Sequence, residues 1–80
     1  MEKSIFSKSY RIFLRRLRAA REGAKIDQKE LALRLRKTQS FISKCERGER
    51  RIDVIELRAF CKAIGISFVN FIHGLDAELN

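Results

Sequence analysis

Cys45 and Cys61 are two lone thiols sixteen positions apart, and His73 is the one imidazole in the chain. A zinc site wants four nitrogen or sulfur ligands in paired spacings, and these three residues do not supply them. Both cysteines fall on apolar-periodic positions, where a thiol acts as a small buried hydrophobe. Reduced core cysteines are therefore expected, although separation along the chain leaves a disulfide open. His73, near an expected helix end, reads as solvent-facing. There is no Gly-rich phosphate loop, no carboxylate pair on a plausible cleft and no base partner for either cysteine. The expectation is a protein that is not an enzyme, with no catalytic residue, metal or cofactor.

The charge points to another kind of chemistry. Eighteen Lys and Arg stand against ten Asp and Glu, a net charge of +8 on 80 residues, with a pI near 10.2. That is the signature of a polyanion as partner. The charge is lopsided: residues 1–52 carry 16 basic and 6 acidic side chains, or +10, whereas residues 53–80 carry 2 and 4, or −2. The basic surface belongs to the first two thirds, and the last third reads as a segment that packs or pairs. No apolar stretch is long enough to span a membrane, and the basic, interrupted first residues are not a secretory signal. A single cytoplasmic domain over residues 1–80 is expected.

The elements that must carry this charge are helices. Tyr10, Phe13, Leu14, Leu17 and Ala20 recur at helical spacing and predict an amphipathic helix from about 8 to 23, with Arg11, Arg15 and Arg18 opposite. Asp27 and Glu30 form a capping-box pattern that opens a second helix, with Leu31, Ala32 and Leu35 inward. Thr38 caps a third, to about Arg47, with Ile42 and Cys45 inward and Gly48 ending it. Asp53 and Glu56 repeat the capping box for a fourth, whose buried side is Val54, Leu57, Phe60, Cys61 and Ile64, ended by Gly65. Ser67 caps a fifth from Phe68 to about His73, closed by Gly74. No stretch alternates with period two. This predicts an all-α, five-helix domain.

Only Arg36 and Lys37 separate the second helix from the Thr38 cap, so the two helices must cross steeply, as in a helix-turn-helix. Gln28, the Glu30-Leu31-Ala32 triplet and Leu35 are followed by Thr38-Gln39-Ser40, Ile42 and Glu46-Arg47-Gly48. The run QKELALRLRKTQSFISKCERGERRID resembles the helix-turn-helix of the Cro/cI-like (XRE) family of bacterial and phage DNA-binding regulators, and the likeness extends from about Tyr10 to about Ile72. It implies a lambda-repressor-like DNA-binding domain with its motif at about 28–47 and packing or dimerisation helices at 53–74. The chain departs from the family at Arg36 and Lys25, where glycine is usual, and at Lys37, where an apolar residue is usual. The resemblance also implies a structural ion pair between Arg21 and Glu46, tying the first helix to the end of the recognition helix.

On this reading the helix from Gln39 to Arg47 enters the major groove of double-stranded DNA, with its first residues at base edges. Gln39 suits adenine, Ser40 donates or accepts, and Lys44 suits guanine or a phosphate. Ser43 is a further contact, and Phe41 either touches a thymine methyl or packs sideways on the first helix. Gln28, with the free amides of its helix N-terminus, holds a phosphate, joined by Arg47, Arg50 and Arg51 and by Arg15 or Arg11. One such helix reads only a few base pairs. The family's answer is a homodimer on a near-palindromic operator, with recognition helices about 34 Å apart. Ile55, Phe68, Val69 and Ile72 are candidates for the dimer interface, with Phe71 a further option; the alternative is that all of these fill the core of a small domain. The expected function is a small transcriptional regulator, a repressor, found on the nucleoid when bound. The alternatives are an antitoxin with a toxin as protein partner, or the controller protein of a restriction–modification system.

Overall fold

Side-chain caps decide where each helix starts. In a computed structural model of the chain, which describes residues 7–80, Ser7 caps α1 (Lys8–Gly23) and Asp27 caps α2 (Gln28–Leu35). Thr38 caps α3 (Gln39–Glu46), Asp53 caps α4 (Val54–Ile64) and Ser67 caps α5 (Phe68–Leu79). In each case the side-chain oxygen accepts the amide three residues on, at 2.7–3.1 Å. Those first-turn amides have no acceptor inside the helix, so each cap is worth about 1 kcal/mol. At α4 the capping box closes both ways, because Glu56 Oε1 also accepts from Asp53 N at 3.0 Å. At α2 the Glu30 carboxylate accepts from Arg34 Nε, one turn further on, at 3.0 Å. The first six residues of the expected 1–80 domain lie outside the described residues.

The five helices form an all-α fold, with no strand among the described residues. The core gathers Phe13, Leu14 and Leu17 of α1, Ile26 of the α1–α2 connection, Leu31 and Ala32 of α2, Ile42 and Cys45 of α3, and Leu57, Phe60, Cys61 and Ile64 of α4. Cys45 and Cys61 are free thiols within it, and burial pushes both thiol pKa values up. The α2–α3 turn closes with Arg36 left-handed at φ 57°, its neighbour Lys37 donating to Ala32 O at 2.9 Å. Lys25, before α2, is left-handed too, at φ 60°. These are the two positions where the related pattern carries glycine, and each non-glycine residue there costs about 1 kcal/mol.

Three expectations are corrected. Gly74 does not end α5: the helix runs through it to Leu79, and the Arg16 guanidinium lies where a Cβ on Gly74 would project. Glu78 in the added turn accepts from Arg16 Nη1 at 2.8 Å and from Arg15. That clamp to α1 extends the helix beyond the point where local signals stop it. Val54, expected inward, is exposed, since the first residue of α4 stands ahead of the part that packs on the core. Phe71, offered as an outward residue, is buried, edge-on to Phe13 with ring centroids 6.1 Å apart.

Candidate nucleic-acid interface

Ile42 and Cys45 anchor α3 in the core, and the opposite side of the helix faces solvent. Gln39, Ser40 and Lys44 are exposed and Ser43 half-buried. At 3.6 residues per turn, residues 39, 40, 43, 44 and 47 fall on one arc of about 140°. The candidate base-contacting residues are therefore displayed together. Phe41 lies at the edge of this arc, half-buried, lining a hollow with Leu35 of α2 and Ala59 and Phe60 of α4. On that side it faces α2 and α4.

The far edge of α3 is tied down by a buried ionic network. Arg21, only 6% exposed, donates Nε and Nη2 to the two Glu46 carboxylate oxygens at 2.6 and 3.0 Å, and Nη1 to Ile26 O at 2.8 Å. Gln28 Nε2 adds a third donor to Glu46 at 2.9 Å. The bond to Glu46 raises the Arg21 pKa above its ordinary value. A buried pair is secure only when its remaining polar atoms are satisfied, and here they are met from α1, α2 and α3 together. The network fixes α3 against the start of α2, with no chemistry of its own. It also engages one amide hydrogen of Gln28, a candidate phosphate contact.

The other candidate phosphate contacts are engaged as well. Arg47 Nε donates to Glu49 at 2.7 Å and its Nη1 to Ser43 Oγ. Arg47 in turn holds the Glu49 carboxyl below its ordinary value. Arg50 pairs with Glu56, and Arg51 stacks on Tyr10, its guanidinium 4.4 Å from the ring centroid. Arg15 is bound to Glu78 at the end of α5, apart from the α3 arc. Sequence reasoning passed over Lys37, whose Nζ stands 5.1 Å from the Phe41 centroid at the entry to α3. The signal was its charge at a position where related chains are apolar. Among the described residues there is no cluster of potential metal ligands and no helix long and apolar enough to cross a membrane.

A family model for helix-turn-helix domains matches residues 17–71, which spans α2, α3 and α4 and reaches from the second half of α1 into α5. An XRE-family like protein from Pseudomonas syringae pv. tomato has a solved structure that superposes with a TM-score of 0.85 and 46% identity, over 90% of this chain and 88% of that one. The chain belongs to the XRE family of helix-turn-helix proteins. The XRE fold is also that of the clp gene regulator ClgR from C. glutamicum, with a TM-score of 0.78 over 92% of this chain and 96% of the other, at 22% identity. No curated protein matches the chain. XRE domains are DNA-binding domains of transcription regulators, and the solvent-facing arc of α3 is the part of this one whose chemistry suits that work.

Proposed function

We propose that this XRE protein reads a specific sequence in double-stranded DNA and represses transcription as a homodimer on a near-palindromic operator. The observation that carries the reading is the open arc of α3. Gln39, Ser40 and Lys44 offer an amide, a hydroxyl and an ammonium to solvent, with half-buried Ser43 beside them bound to Arg47, on a helix whose other side is anchored in the core. Those are the groups that discriminate bases in the major groove, with Gln39 on adenine and Lys44 on guanine. Phe41, at the edge of the arc, offers apolar contact to a thymine methyl. Gln28 and the amides of the α2 N-terminus hold a phosphate, and Arg47 and Arg51 add charge to the backbone on either side. Arg15 joins them once released from Glu78. Such a regulator works in the cytoplasm, on the nucleoid.

The dimer follows from the size of the reading head and the split of charge. One α3 covers only a few base pairs, and the last third of the chain carries −2 against +10 for the rest. Ile55 and Val69 are 72% and 73% exposed, and Ile72 37%, with Phe68 half-buried beside them. A second copy of the chain is the partner these residues suit. The test is selection of bound duplexes from a random DNA library at low and near-physiological salt. A single palindromic site with half-sites one turn apart, surviving the higher salt, is expected. Unselected DNA that washes off with salt would overturn the reading, since phosphate contact alone behaves that way.

A further inference from the structure

Arg50 lies exposed in the loop after α3, within reach of a DNA phosphate, yet both of its terminal nitrogens are bonded to the protein. Nη1 and Nη2 grip the two Glu56 oxygens at 2.8 and 2.7 Å, and Nη1 also donates to Arg51 O at 2.9 Å. The guanidinium carbon sits 4.8 Å from the Phe41 centroid, so the same side chain stacks on α3. Glu56 is fixed in its turn, since it accepts from Asp53 N and its own amide donates to Asp53. Phe41 is fixed from the other direction, its amide held by Thr38 Oγ1 at 3.0 Å. A bidentate fork laid on an aromatic face has one geometry, which a lysine does not reproduce.

We propose that Arg50 and Glu56 form a strut between α4 and Phe41 that sets the orientation of the first turn of α3, and with it Gln39 and Ser40. Both are positioning residues for base recognition, and Arg50 is not a phosphate contact. The proposal rests on α3 reading DNA. The two roles for Arg50 have opposite signatures. A phosphate contact is hindered by Glu56, so removing that carboxylate strengthens binding to every sequence. A strut depends on Glu56, so removing it weakens the selected sequence and spares the rest.

The test is affinity for the duplex the wild type selects and for a random-sequence duplex, across a salt series, for wild type, Glu56→Gln and Arg50→Gln. Thermal unfolding shows that each variant is folded, and glutamine at 56 keeps an acceptor for Asp53 N. Both variants are expected to lose preference for the selected duplex by about five- to tenfold, with the wild-type salt slope. The double variant is expected to lose no more than either single one, as for two ends of one device. Tighter binding of both duplexes by Glu56→Gln overturns the strut. So does uniform loss in Arg50→Gln with a salt slope lower by about one, and so does no change in either variant. A wild type that prefers no duplex overturns the DNA reading itself and the strut with it, and wild-type data alone reveal that outcome.

Discussion

Glu46 accepts three hydrogen bonds from Arg21 and Gln28, and its side chain and that of Arg21 are almost wholly shielded from water. Replacing Glu46 by alanine takes away the only buried carboxylate the described residues offer Arg21, leaving it Ile26 O and the exposed Glu22 3.9 Å away, an expected loss of about 3–5 kcal/mol. Urea denaturation measures it, and a loss below about 1 kcal/mol would show the pair to be merely a surface contact. Replacing both partners by apolar residues of similar size is expected to cost far less than the single change. Glu49 is the reverse case. It is exposed and neutralises Arg47 beside the α3 arc. Glu49→Gln is expected to tighten binding to all duplexes and steepen the salt slope, and weaker binding would mean that Arg47 needs Glu49 for its position. The thiols of Cys45 and Cys61 have no exposure, so a thiol reagent is expected to label neither in the native protein and both in denaturant.

At the scale of elements, what the sequence announced was what local chemistry decides. Asp27, Thr38, Asp53 and Ser67 cap the helices they precede because a cap needs only the next three residues. The arc of α3 was readable for the same reason, as helical spacing sorts Gln39, Ser40, Ser43 and Lys44 from Ile42 and Cys45. The end of α5 was not. Gly74 is a stop signal locally, and the clamp that overrides it joins Arg16 to Glu78, 62 residues apart. Phe41 was ambiguous for a similar reason, since Lys37 and Arg50 flank its ring from two different connections. The clamp makes a local prediction. Glu78→Gln is expected to speed amide exchange in the turn after Gly74 while leaving the unfolding midpoint near that of the wild type. Unchanged exchange there would show that the last turn stands without the clamp.

At the scale of the molecule, acid is the condition that attacks both the packing and the reading head. Arg50, with the Asp53 amide, holds the Glu56 carboxyl at about 2, against an ordinary value of 4.5, and Glu49 and Glu78 are lowered as well. A carboxyl lowered in the folded state contributes stability that is complete above its unfolded value and lost as pH falls through its folded one. Stability is therefore expected to fall between about pH 4.5 and 2, and to fall less in Glu56→Gln. A variant that tracks the wild type through that window would remove Glu56 from the account. The first two thirds of the chain, which include α3, carry +10 and the last third −2, but charge by itself binds any duplex. The claim that α3 reads bases stands or falls on Gln39. The most direct measurement is the affinity of wild type and Gln39→Ala for the selected duplex and for every single-base variant of one half-site. The expected result is a loss of about 1–3 kcal/mol on the selected duplex, with discrimination relaxed at one base position and kept at the others. An equal loss across every sequence would contradict it.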